Sequence, residues 1–230
     1  MKKNKSFICC GSRRYDNLDL DKLVDSFDFI IRHNMLTSDS GYGKKTSSVQ
    51  VINAHINTFY NQKISNQEWF DIYCDEYGLS EAHILKFLDY MDNEKPEIVH
   101  FPDNNTALMQ SILHKYDIDH PFRTEQTLLK TGLSFVFKFV SEEIKPFLVG
   151  YSLSPSNLGE HVFNTKAIEK LNQCHKDDLE CDLIIKMHEL KLIDASFCAI
   201  EDCEKIKFNN LIEPTEESIK ILENIYEYSA

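Results

Sequence analysis

The chain is short of the residues that break a fold or staple it together. Its 230 residues include only 7 Gly and 6 Pro, which excludes collagen-like, low-complexity and proline-rich disordered chains. No apolar run approaches the roughly 20 residues that a membrane-spanning helix needs. Residues 1–11 carry lysines but too short an apolar run for the core of a signal peptide, so secretion is not expected. Cysteine is sparse and odd in number. The seven (Cys9, Cys10, Cys74, Cys174, Cys181, Cys198 and Cys203) have no spacing of a disulfide scaffold, and a reducing cytoplasm is the expected location. Cations are also few: 25 Lys and Arg face 37 Asp and Glu, a net charge of −12. A protein so acidic offers no broad basic face for nucleic acid.

What is present is an ordinary globular mixture, 42% apolar and 27% charged, enough for one domain spanning residues 1–230. Short β-rich apolar runs predict strands at 6–10, 27–33, 49–55, 96–101, 146–151 and 194–200. Several are apolar throughout, as parallel strands covered on both faces must be. Runs of helical period predict helices at 66–77, 80–91, 104–116, 125–142, 177–191 and 215–228. Ser80 stands as an N-cap before Ile84, Phe87 and Leu88, and Glu216 and Glu217 suit the start of the last helix. The alternation predicts an α/β fold: a single Rossmann-like domain with a mostly parallel sheet flanked by helices. Ligands of such sheets bind beyond the carboxyl ends of the strands.

Residues at those ends are therefore the candidates. Gly11, Ser12, Arg13 and Arg14 follow the first strand, either as an ordinary exit turn or as backbone N–H groups and cations for a phosphate or carboxylate. Asn34 stands at the end of the second, and Asn53 in the end of the third, Asn53-Ala54-His55; each is common turn chemistry, and each is also a donor and acceptor near the crevice. Gly41–Thr46 lacks the spacing of a phosphate-binding P-loop and reads as a flexible turn with solvated lysines. Thr131-Gly132 marks either a helix start packed close to the sheet or a place where a ligand can approach the backbone.

Before the amphipathic run Leu179, Leu183, Ile184, Met187 and Leu190 stands His175, a natural general base for a hydroxyl at neutral pH. Glu180 either supports it or belongs to a capping box with Asp177. Cys174, His175, Cys181, His188, Cys198 and Cys203 match no closed zinc framework, so no metal is expected. Asp19-Leu20-Asp21 and Asp117-Ile118-Asp119 have the Asp-x-Asp form of some metal-dependent transferases but equally suit helix starts. His83, His114 and His188 read as helix-surface or boundary residues, and Cys198 as core.

In chain order, four stretches resemble the sialyltransferases, of the bacterial lipooligosaccharide type and more faintly the animal type. They are Ile8-Cys9-Cys10-Gly11-Ser12 with Phe27-Asp28 and Arg32-His33-Asn34; Tyr42-Gly43-Lys44-Lys45-Thr46 leading to Asn53; Lys130-Thr131-Gly132-Leu133 with Phe147–Tyr151; and His175 with Glu180, a His-x-x-x-x-Glu motif. The resemblance implies a GT-A-like domain with a small lid at 152–173, using CMP-sialic acid with neither metal nor cofactor. It further implies that Asn34, Asn53, Thr131 and Gly132 bind CMP, with Gly11, Ser12 and Arg13 near ribose or phosphate. His175 would deprotonate the acceptor hydroxyl, which inverts the anomeric centre. The sequence departs from the bacterial pattern at Gly11-Ser12-Arg13, where the family has Gly-Asn-Gly, and in a lid with no tyrosine after Tyr151, the one tyrosine placed to meet the donor. The expected acceptor is a cell-surface oligosaccharide, reached from the cytoplasm with or without peripheral contact at the inner membrane; self-association is left open. A CMP-Kdo-dependent transferase and a catalytically inactive CMP- or glycan-binding module are the alternatives.

Overall fold

The computed structural model describes residues 5–11, 20–33, 35–38, 42–45, 48–52, 54–76, 79–100, 106–124, 131–152, 177–199 and 214–227. Within them six strands, β1 (Phe7–Cys10), β2 (Phe29–His33), β3 (Ser48–Ile52), β4 (Glu97–His100), β5 (Phe147–Ser152) and β6 (Asp194–Ala199), form one sheet in the order β4-β3-β2-β1-β5-β6. All five pairings are parallel. The expected α/β architecture with a parallel sheet is thus observed, and each expected strand exists.

The helices are α1 (Leu20–Asp25), α2 (Ala54–Gln62), α3 (Asn66–Phe70), α4 (Glu81–Asn93), α5 (Thr106–Lys115), α6 (Thr131–Ser141), α7 (Asp177–Glu189) and α8 (Glu216–Glu227). Local chemistry accounts for several boundaries. Ser65 and Glu68 form a complete capping box at the start of α3. Ser80 caps α4 by accepting a hydrogen bond from the His83 N–H at 3.2 Å. The Thr215 hydroxyl accepts from the Ser218 N–H at 3.2 Å before α8.

Three apolar clusters follow from the layering. On one face of the sheet, Ile8, Cys10 and Ile30 pack with Leu23 and Val24 of α1 and Leu222 and Ile225 of α8. On the other, Cys9, Ile31 and Leu148 pack with α5, α6 and α7 through Ile112, Val136 and Ile184. Cys9 and Cys10 point to opposite faces because side chains alternate along a strand, so one short segment contributes to both cores. The third cluster, around Trp69, Phe87 and Met91, joins α2, α3 and α4 to the β3 side. Among the described residues, no helix is long and apolar enough to cross a membrane.

Three expectations are corrected. The third strand stops at Ile52, and Ala54 opens α2, because Ile56, Phe59 and Tyr60 share one helix face that packs on the third cluster. The helix expected over 66–77 is α-helical only to Phe70 and widens into a π-helical turn at Asp71–Glu76, where Tyr73 stacks on Trp69 with ring centroids 5.2 Å apart. His188 is interior rather than superficial: it is 6% exposed, and its Nδ1 accepts the Ala195 N–H at 3.0 Å. The helix α1 had no sequence-based counterpart, since six residues are too few to show a period.

Candidate functional site

The sheet order defines where a ligand belongs. From β1 the chain steps outward through β2, β3 and β4, then returns to place β5 on the other side of β1 and continues to β6. Successive crossovers therefore diverge at the carboxyl ends of β1 and β5. This switch point is where open α/β sheets bind ligands.

Two glycines meet there. The Gly11 N–H donates to the Val149 carbonyl at 2.7 Å, and a Cβ on Gly11 would collide with the Gly150 carbonyl. A Cβ on Gly150 would lie 2.8 Å from the Gly11 oxygen and 2.6 Å from the Tyr42 hydroxyl. The ends of β1 and β5 are thus packed backbone against backbone, with the Tyr42 hydroxyl beside Gly150. Gly150 also has φ +76°, a conformation that L side chains avoid. It coincides with a register irregularity between β5 and β6. By alternation Tyr151 would fall on the α1 and α8 side with Phe147 and Val149; instead it packs with the cluster of the α6 face. A bulge of this kind re-aims a side chain.

Re-aimed, Tyr151 spans the end of β1. Its hydroxyl lies 2.8 Å from Nε2 of His33, the last residue of β2. The phenol oxygen sits in the interior, and burial pushes its pKa well up, while the residue as a whole keeps some exposure. His33 is 5% exposed, and burial lowers its pKa to about 3. The His33 ring meets Phe135 of α6 edge-on, with centroids 6.5 Å apart. That contact fixes the amino-terminal part of α6, which opens with Thr131-Gly132, beside the same sheet edge.

Beneath this edge a buried arginine holds the strap at residues 42–45. Arg32, fully buried on the α1 side, donates from Nη2 to the carbonyls of Tyr42 and Gly43 at 3.0 and 2.9 Å, and from Nη1 to that of Lys45 at 3.3 Å. Asp21 and Asp25 of α1 accept the amides of Gly43, Lys44 and Lys45, each at 3.0 Å. The Lys45 ammonium donates to the Phe27 carbonyl at 2.7 Å. The expected flexible turn is therefore tied on both sides, and only the Lys44 ammonium is solvated, 3.8 Å from Asp21.

The start of α7 is secured separately. His120 Nε2 lies 3.1 Å from the Leu179 carbonyl and 3.4 Å from the Asp182 carboxylate, and its Nδ1 accepts the Phe122 N–H at 3.2 Å. Glu180, in the first turn of α7, is 4% exposed and belongs to the interior.

Of the sequence-predicted residues, Gly11 and Tyr151 come together at the switch point, and Thr131 and Gly132 open the helix beside it. Ser12, Arg13, Asn34, Asn53, His175 and the lid beyond Ser152 lie outside the described residues. Arg32 and His33 enter the sequence reading only as part of the Arg32-His33-Asn34 stretch and with no role assigned; their contacts depend on which strands are neighbours. Among the described residues, no three of His, Cys, Asp and Glu converge as metal ligands. The described cysteines (Cys9, Cys10, Cys74, Cys181 and Cys198) are free thiols, and burial drives that of Cys10 up to about 12. A groove of about 560 Å³ opens at the opposite edge of the sheet, where Ser6, Asp28 and Lys22 face Lys220 and Ile225 of α8. Its mixed charges and its distance from the strand carboxyl ends leave the switch point as the candidate site. The chain matches no protein-family model, and a search of curated proteins returns no match.

Proposed function

We propose that this protein is a CMP-sugar-dependent glycosyltransferase that moves sialic acid from CMP-sialic acid to a hydroxyl of a cell-surface oligosaccharide. One observation carries the reading: at the β1–β5 switch point Gly11 and Gly150 pack backbone against backbone, which holds the two strand ends together, and α6 opens beside them with Thr131-Gly132. A helix start carries positive partial charge, which suits the phosphate of a nucleotide donor. The ordered resemblance to sialyltransferases adds the chemistry. α7 runs back into β6 and so begins at the same edge, two residues after His175 in sequence.

In this reading Asn34, Asn53, Thr131 and Gly132 bind the CMP moiety, and Gly11, Ser12 and Arg13 sit near ribose or phosphate. His175 takes the proton of the acceptor hydroxyl, whose oxygen attacks the anomeric carbon in line. The bond from that carbon to the phosphate oxygen breaks, CMP departs with the electron pair, and the configuration inverts. CMP is a good leaving group, so positioning and a charge-stabilising pocket supply most of the acceleration. The finer GT-A-like assignment and the lid at 152–173 belong to the same proposal.

The test is thermal stability with CMP, CDP, UMP, GDP and NAD in the absence of metal. A ligand at ~100 times its dissociation constant adds about 2.7 kcal/mol, a rise of very roughly 5–10 °C for a domain of this size. A response confined to cytidine nucleotides is expected, followed by transfer from CMP-sialic acid that His175→Ala abolishes without loss of CMP binding. No cytidine response overturns the reading. Transfer from CMP-Kdo alone changes the donor, and binding without transfer or donor hydrolysis reduces the protein to a nucleotide-binding module.

A further inference from the structure

Two interior polar atoms near the switch point have no hydrogen-bond partner among the described residues: Nδ1 of His33 and Oγ of Ser134. Both residues are more than nine-tenths buried. They come from the end of β2 and the first turns of α6, and Phe135, which follows Ser134, meets the His33 ring edge-on. Leaving one such group unsatisfied costs about 1–3 kcal/mol, so a bound molecule that offers it a partner gains by doing so.

The Tyr151–His33 contact decides what His33 offers. A phenol is a stronger hydrogen-bond donor than a neutral imidazole, and 2.8 Å is the usual length of a bond from O–H. Tyr151 therefore donates to the lone pair of Nε2. A neutral imidazole has one donor and one acceptor nitrogen, so Nδ1 carries the proton. Burial keeps the ring neutral at physiological pH. The available group is thus an uncharged N–H, fixed in its tautomer by a tyrosine that Gly150 has turned across the end of β1.

Resting on the nucleotide reading above, we infer that His33 is a specificity-determining residue whose Nδ1–H donates to a neutral acceptor on the pyrimidine base of the ligand, with Tyr151 as the residue that positions it. A carbonyl oxygen such as O2 of cytosine has the right chemistry. The phosphate does not call for this group, because an anion gains most from a cation, which His33 is not.

The experiment compares CMP with ribose 5-phosphate, which lacks the base, by calorimetric titration of the full chain. In His33→Gln the side-chain carbonyl can still accept from Tyr151, but no donor remains at the Nδ1 position. CMP binding should weaken about tenfold, while ribose 5-phosphate binds as to the wild type. In His33→Asn the amide nitrogen falls where Nδ1 was, and CMP affinity should recover to within about threefold. Should His33→Gln fail to fold, Tyr151→Phe frees the tautomer with no change in backbone and should weaken CMP alone. Equal CMP affinity in wild type and variants, or an equal loss for ribose 5-phosphate, overturns the assignment and leaves the nucleotide reading intact. Absence of CMP binding by the wild type overturns both.

Discussion

Replacing Arg32 by methionine removes a buried cation whose guanidinium makes five hydrogen bonds to the carbonyls of Tyr42, Gly43 and Lys45. Hydrogen bonds to a charged group contribute about 1.5–3 kcal/mol each. They are not additive here, because one planar group makes all five. The strap keeps its second tether, the Asp21 and Asp25 carboxylates, so it loosens without being lost. Methionine fills much of the volume, which limits the cavity. The expected loss is about 3–5 kcal/mol, from carbonyls left without their donor at about 1–3 kcal/mol each. At roughly 2–4 °C per kcal/mol for a domain of this size, the melting temperature should fall by about 6–20 °C. Urea unfolding at pH 7, followed by circular dichroism, measures it directly. Arg32→Lys separates charge from geometry: an ammonium cannot span three carbonyls, so lysine should recover less than half of the loss. A loss below about 1 kcal/mol in Arg32→Met, or full recovery in Arg32→Lys, refutes the claim that the guanidinium fork holds the strap. Because Tyr42 touches Gly150, slackening of the strap should also weaken nucleotide binding.

Three other outcomes are expected. Gly11→Ala drives a methyl group into the Gly150 carbonyl, so the strand ends must part; a cost of about 3 kcal/mol and loss of CMP binding should appear in urea melts and calorimetry, and stability within 0.5 kcal/mol of wild type (about the additivity error) would sink the close-approach argument. Unfolded His33 takes up a proton below about pH 6.5 but folded His33 only near 3, so its contribution is present above pH 6.5 and lost on acidification; between pH 7 and 5 wild type should lose about 2 kcal/mol more than His33→Gln, and parallel pH profiles would contradict the assigned burial. Thr215 donates to Asp194 at 2.6 Å and accepts the Ser218 amide; Thr215→Ala should lower stability by about 1–2 kcal/mol and Thr215→Ser restore most of it, whereas an unchanged melting temperature would remove the cap from the account of α8.

How much of this was legible in the sequence depended on the range of the interaction. Strands such as Phe7–Cys10 and Phe147–Ser152 announced themselves because a parallel strand covered on both faces must be apolar throughout. Gly11, Thr131-Gly132 and Tyr151 could be singled out because they border such runs. The strand order could not be read, and with it went the site's interior. Tyr151 and His33 are 118 residues apart in the chain, and only the placement of β5 beside β1 brings them together. Tyr151 is a donor-binding candidate through the resemblance; that the left-handed Gly150 turns it toward His33 has no local signal. Arg32 read as part of a strand end, since nothing local says that a cation will be buried and met by backbone carbonyls. The first two residues of α2, Ala54 and His55, read as the end of the third strand because they directly continue the segment that holds it.

The third apolar cluster carries an optical consequence. Trp69 is the one tryptophan in the chain; it is 1% exposed and sits between Phe59, Tyr73 and Phe87. Its fluorescence therefore reports on the α2–α4 side alone, while circular dichroism averages over all helices and strands. Superimposable unfolding curves from the two signals would mean that this flank melts with the sheet as one cooperative unit. An earlier red shift of the tryptophan would identify the flank as a unit that opens by itself, leaving the β1–β5 edge intact while the outer wall of the molecule comes away.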